Sequence, residues 1–143
     1  PRPRGSPAIP RAPGGPPVIL VAEDDADARA VMRQTLERRG FGVIEAADGR
    51  QALEAARRSA PDLIVLDLRM PAVHGRDVIR ILRKQAATAT VPIVVVSGSA
   101  SERQSLESLV LGANVFLTKP ANTDGLVADI HRLLSRNGPE ERS

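Results

Sequence analysis

Asp62-Leu63-Ile64-Val65-Leu66-Asp67-Leu68-Arg69-Met70-Pro71, with Gly75 four residues beyond, is the stretch whose reading decides the fold. Leu63 to Leu66 is unbroken apolar sequence, whereas a half-exposed antiparallel strand would alternate. The run therefore fits a strand buried on both faces, as in a parallel sheet covered by helices. Asp67 then falls at the carboxyl edge of the sheet, where open α/β folds bind ligands. A lone acid there is a candidate reactive group. An Asp shortly before Pro71 can equally serve only as a turn or cap residue.

Outward from this strand the pattern repeats. Val18-Ile19-Leu20-Val21-Ala22 is a second short apolar strand and ends in Glu23-Asp24-Asp25. The spacing of Val31, Met32, Thr35 and Leu36 predicts a helix over 26–39, capped by Asp25 or Asp27 and stopped at Gly40. A strand is expected over 42–46 and a turn at Asp48-Gly49. A helix over 50–59 follows, with Ala52, Leu53 and Ala56 inward, closed by Pro61. Past Gly75 a helix over 76–86 turns Val78, Ile79 and Leu82 inward. Its Arg76, Arg80, Arg83 and Lys84 read as a solvated face. A strand over 91–96, with Pro92 near its start, runs into Ser97-Gly98-Ser99. The serine-rich helix over 101–112 is expected to bury Leu106, Leu109 and Val110 and to be the most mobile helix. A strand over 115–118 leads to Lys119-Pro120, and a last helix over 123–135 buries Leu126, Val127, Ile130, Leu133 and Leu134. Five strands alternating with five helices predict an α/β fold with a doubly wound parallel sheet.

At 143 residues the chain is the size of one ordinary domain. It has no Cys, which excludes thiol chemistry, a cysteine zinc site and a disulfide framework. No apolar run is long enough to span a bilayer and no signal-peptide core is present, so a soluble, cytoplasmic protein with no membrane partner is expected. The basic pI of about 10.5 arises in the tails. Residues 18–135 hold 15 Lys and Arg against 15 Asp and Glu, and there is no Tyr or Trp to stack on bases. Direct nucleic-acid binding by the core is thereby disfavoured. Residues 1–17 carry seven of the twelve prolines and only Ile9 as a large apolar residue. They read as a disordered linker, and the missing initiator Met suggests a processed product or a piece of a longer chain. Residues 136–143 read as a flexible polar tail.

Each strand able to line the crevice delivers a polar group at its carboxyl end: Glu23 and Asp24, then Asp67, Ser97 and Lys119. Independent turn residues would not supply three acids, a hydroxyl and an amine at successive edges. Clustered carboxylates repel unless a cation joins them. Hard oxygen ligands suit Mg²⁺ (or Mn²⁺), and Mg²⁺ held by one or two carboxylates usually meets a phosphoryl group. Lys119 and Ser97 would hold the remaining phosphoryl oxygens.

With these residues in place, the chain resembles the receiver domain of two-component response regulators, of the chemotaxis-regulator-like kind. The resemblance spans residues 18–135 and rests on Ile19-Leu20-Val21-Ala22-Glu23-Asp24-Asp25, Asp67 with Met70-Pro71 and Gly75, Ser97, and Lys119-Pro120. It implies a flavodoxin-like fold with strand order 2-1-3-4-5 and Asp67 as phosphoacceptor. It also implies Mg²⁺ on Asp24, Asp67 and the Arg69 backbone carbonyl, Glu23 acting through water, and a cis bond before Pro120. The expected donor is a sensor histidine kinase or a histidine phosphotransfer domain. Where the family often has Thr and Tyr, this chain has Ser97 and Phe116. The Ser97 hydroxyl is expected to move toward a phosphate on Asp67 and Phe116 to fill the space behind it. That switch would alter the face made by the fourth helix, fifth strand and fifth helix, which would control a partner or form a phosphorylation-dependent homodimer. Asp25 is a third acid whose role as helix cap competes with a metal role. His74 and His131 read as bystanders.

A phosphatase of the haloacid-dehalogenase type also places a reactive Asp at a strand end, but needs a second acid two residues on. Arg69 occupies that position, so a phosphoacceptor limited to self-phosphorylation and autodephosphorylation is expected, without turnover of external esters. A nucleotide loop GxxxxGK[ST] is absent. The output is expected to be either that of a stand-alone regulator or that of the terminal receiver of a hybrid histidine kinase, acting on a downstream partner or a fused domain.

Overall fold

The computed structural model describes residues 15–98, 102–119 and 123–136. The expectations for residues 1–14 and 137–143, for the bond before Pro120 and for the burial of Leu106 lie outside what is described. Strands and helices alternate throughout: β1 (Val18–Ala22), α1 (Ala26–Arg38), β2 (Gly42–Ala46), α2 (Gly49–Ser59), β3 (Leu63–Leu66), α3 (Gly75–Lys84), β4 (Ile93–Ser97), α4 (Glu102–Leu111), β5 (Val115–Thr118) and α5 (Thr123–Arg136). The strands form one parallel sheet in the order β2-β1-β3-β4-β5. Fold class and strand order are those expected.

Side chains alternate across a strand, so a parallel sheet covered on both sides feeds two cores. Leu20, Ile64, Leu66, Ile93 and Val95 pack on one side with Ala52 and Ala56 of α2 and Val78, Ile79 and Leu82 of α3. Ile19, Val21, Leu63, Val65, Val94 and Val96 pack on the other with Leu36 of α1 and Leu126, Val127, Ile130 and Leu133 of α5. The central strand β3 is buried along its whole length, while the edge strands β2 and β5 are half-buried. Hydrogen bonding into the sheet begins at Pro17, whose carbonyl accepts from Gly42 N at 2.9 Å.

The helices follow expectation at one of the two candidate caps and depart from it elsewhere. Asp25, of the two candidates, caps α1, its Oδ1 accepting from Asp27 N and Ala28 N; Val31 points outward. In α4, Leu109 is 42% and Val110 85% exposed, although helical spacing places both inside; Ser108 is buried in their stead. Arg83 does not belong to a solvated face. Half-buried, it donates to Gly112 O through Nε and Nη2, to Thr88 O and Ala89 O through Nη1, and to Asn114 Oδ1. These carbonyl-type acceptors, drawn to one guanidinium, explain why a charged residue is taken out of water there. Gly112 has φ +128°, and a Cβ on it would lie 2.7 Å from Arg83 Cγ, so this turn requires glycine.

Candidate functional site

The site forms because parallel register brings the carboxyl ends of adjacent strands level. Ala22 of β1 pairs with Ala46 of β2 and with Leu66 of β3. One residue later the ladder still holds: Glu23 N donates to Ala46 O and Asp67 N to Ala22 O, both at 3.0 Å. Glu23 and Asp67 therefore leave the sheet side by side, and Asp24 follows in the turn. Carboxylate oxygens of Glu23, Asp24 and Asp67 lie within 4.8 Å of one another. Glu23 and Asp67 are buried, while Asp24 is exposed.

β5 brings Lys119 to the same place. Its amide donates to Ser97 O at 2.8 Å, continuing the β4–β5 ladder past Thr118. Its ammonium donates to Glu23 Oε1 and, at 2.8 Å, to Asp67 Oδ2. The other Asp67 oxygen, Oδ1, accepts from Arg69 N at 2.9 Å. Both oxygens of Asp67 are thus held by donors. Glu23 Oε2 accepts from Asp25 N at 3.1 Å.

Burial pushes the Glu23 carboxyl above the usual carboxylate range; its bonds to Lys119 and Asp25 N offset this only in part, and repulsion from Asp67 adds to it. Burial draws the Lys119 ammonium down, but its bonds to Asp67 and Glu23 outweigh that and leave it above the ordinary lysine range. Lys119 is therefore a fixed cation between the two acids. Three carboxylates, with neither imidazole nor sulfur among them, are a donor set that fits a hard divalent cation such as Mg²⁺.

The segment after Asp67 is tied down just as firmly. Gly75 N donates to Leu68 O at 3.0 Å, and a Cβ on Gly75 would lie 2.5 Å from Leu68 Cα. Only glycine lets α3 begin against the backbone that follows Asp67. His74, read as a bystander, caps α3, its Nδ1 accepting from Arg76 N at 3.1 Å. His131 packs its ring on Phe41, with ring centroids 5.2 Å apart. Ser97 is buried at the end of β4, and Phe116 of β5 is half-buried against the α2–α3 core.

The expected residues Glu23, Asp24, Asp67 and Lys119 are brought together. Ser97 and Phe116 stand on the adjoining strands; Pro120 lies outside the described residues. Sequence reasoning missed Arg29, whose Nη1 donates to Glu23 O at 2.8 Å. No local signal marks it, because an arginine four residues after a helix cap reads like any other surface cation.

Comparison with known proteins agrees with this fold. Residues 19–131 match the model of the response regulator receiver domain. The chain is similar to the alkaline phosphatase synthesis transcriptional regulatory protein SphR of Synechococcus elongatus, with 43% identity over 86% of this chain and 51% of that protein. It is also similar to the transcriptional regulatory protein PrrA of Mycobacterium tuberculosis, with 39% identity over 85% of this chain and 52% of that one. The chain thus spans about half the length of these curated relatives. Among solved structures, a Francisella response regulator receiver domain superposes with a TM-score of 0.80 at 32% identity, covering 85% of this chain and 99% of that one. A chemotaxis response regulator of Vibrio cholerae gives 0.77 at 30%, covering 82% and 98%.

Proposed function

This chain belongs to the response regulator receiver domain family, and from that premise we propose that Asp67 accepts a phosphoryl group from a histidine kinase or a histidine phosphotransfer protein, with Mg²⁺ (or Mn²⁺) on Asp24, Asp67 and the Arg69 carbonyl. The observation that carries the reading is the buried Asp67 carboxylate, gripped by Lys119 Nζ and Arg69 N beside two further acids. An Asp kept only as a turn or cap residue would not need an ammonium brought to it from another strand.

In this reading an Asp67 oxygen attacks the phosphorus, the phosphorus–nitrogen bond of the donor histidine breaks, and an acyl phosphate forms. A bound Mg²⁺ would offset the charge of the acids and of the phosphoryl oxygens. Lys119, freed from part of its bonding to Asp67, turns its ammonium to the transferred group. Glu23 holds Lys119 in place and would meet the cation through water. Ser97 would follow the new phosphate oxygens, and Phe116 would move deeper behind it, as a population shift toward a packing already accessible. The α4, β5 and α5 face would carry the change to a downstream partner, a fused domain or a second copy. The curated relatives carry names of transcriptional regulators, and an output of that kind is the extension we propose for the protein to which this domain belongs. The domain does no more than phosphorylate and dephosphorylate itself.

The test is intact-mass analysis after treatment with a small acyl phosphate and Mg²⁺. One added phosphate is expected, and it should vanish in Asp67→Asn and on chelation of the metal. Equal labelling of Asp67→Asn would refute the assignment.

A further inference from the structure

Arg29 and Glu45 have no part in the chemistry above, yet they reach it. Arg29 stands in the first turns of α1, and its side chain is 18% exposed. Its guanidinium spans two acceptors: Nη1 donates to the Glu23 carbonyl at 2.8 Å and Nε to Glu45 Oε1 at 2.9 Å. Glu45 is itself anchored, since its Oε2 takes Arg33 Nε at 2.9 Å, and Arg33 is braced on Glu37 Oε1 at 3.1 Å. Both backbone polar groups of Glu23 are thereby tied to β2. The N–H bonds Ala46 O directly, and the carbonyl is held through Arg29 to Glu45.

We propose that Arg29 is a positioning residue: by bridging Glu45 to the Glu23 carbonyl, it fixes the peptide joining Glu23 to Asp24 and so sets how tightly these acids hold a divalent cation. The proposal rests on the metal reading given above. The peptide plane is the reason it matters. The carbonyl that Arg29 holds belongs to the same rigid unit as the Asp24 amide, so its direction sets where Asp24 leaves the turn. Asp24 is the exposed member of the trio, and the peptide before it is what aims it. Groups that orient metal ligands from behind commonly govern affinity in this way.

Charge alone predicts the opposite sign. Arg29 is a cation close to the acids, so removing it should strengthen attraction for Mg²⁺. If it acts by position, removing it should weaken binding. Lysine separates the two further, because one ammonium on a flexible stem does not reproduce a fork across two acceptors.

The experiment titrates Mg²⁺ into the full chain without phosphodonor, reading Kd from amide shifts and from melting temperature. Wild type, Arg29→Gln, Arg29→Lys, Glu45→Ala and Asp24→Ala are compared. Kd should rise about tenfold in Arg29→Gln and in Glu45→Ala, the low end for groups behind a ligand, with Arg29→Lys close to Arg29→Gln. Should Arg29→Gln fail to fold, Arg29→Lys decides, because it keeps the charge and removes only the fork across the two acceptors. An unchanged or tighter Kd overturns the proposal, including the case where metal-free melting temperature falls while Kd holds. If wild type and Asp24→Ala both fail to bind Mg²⁺, the metal reading itself falls and the proposal with it.

Discussion

α3 and α4 are neighbouring helices of ten residues each, packed on the same side of the sheet, and among the described residues they are secured differently. α3 turns Val78, Ile79 and Leu82 fully into the core, and its first residue rests on the backbone after Asp67. α4 sends Leu109 and Val110 outward and buries Ser108, whose Oγ has no hydrogen-bond partner among the described residues. Its carboxyl end packs the half-buried Leu111 against the same core and is held from outside by Arg83 of α3 on the Gly112 carbonyl. The contrast teaches where the fold can yield. A helix fastened by apolar burial serves as a fixed support for the phosphoacceptor segment. One fastened by a polar clamp at one end, with an unsatisfied hydroxyl inside, is the easier one to displace.

That contrast can be broken at several points, and the largest effect belongs to α3. Ile79→Ala should cost ~2–5 kcal/mol, the range for truncating a buried Ile. Urea unfolding measures it, and a loss below ~1 kcal/mol would mean that α3 is not anchored by its apolar face. Next comes the clamp. Arg83→Ala removes charge-assisted bonds to carbonyls and should cost about 2 kcal/mol. Its signature is local: hydrogen exchange should accelerate over 102–111 before it does over 75–84, whereas equal acceleration in both helices would erase the distinction. The smallest effect has the opposite sign. Ser108→Ala removes a buried hydroxyl that lacks a partner and should stabilise the domain by about 1 kcal/mol, raising the urea midpoint. A lower midpoint would show that the hydroxyl contributes to docking α4.

Much of this arrangement is legible in the order of residues along the chain. Unbroken apolar runs such as Leu63 to Leu66 demand a parallel sheet with both faces covered, and the alternation of strands with helical spacings sets the order of elements. Glu23, Asp24, Asp67 and Lys119 can be placed at one edge, because each follows closely on a strand and all strands of a parallel sheet point the same way. The reading of α4 fails at Leu109 and Val110, because helical spacing says which residues share a face, not which face docks. Arg83 misleads for a related reason, since a cation on a helix reads as solvated until the carbonyl of Gly112 is brought to it from 29 residues away.

By itself, then, the sequence determined the fold class, the strand boundaries to within a residue or two and the identity of the acids at the strand ends. All of these follow from short unbroken apolar runs and spacings of three to four residues along the chain, together with the direction a parallel strand must take. Only the tertiary structure decided which donors grip each oxygen of Asp67, which face of α4 meets the core, and that His74, Arg29 and Arg83 serve as cap, bridge and clamp. The bridge and the clamp depend on hydrogen bonds between segments far apart in sequence, and the cap on how the turn before α3 is packed. A guanidinium or an imidazole carries the same pattern whether it faces water or backbone partners, and only the packed chain brings those partners to it.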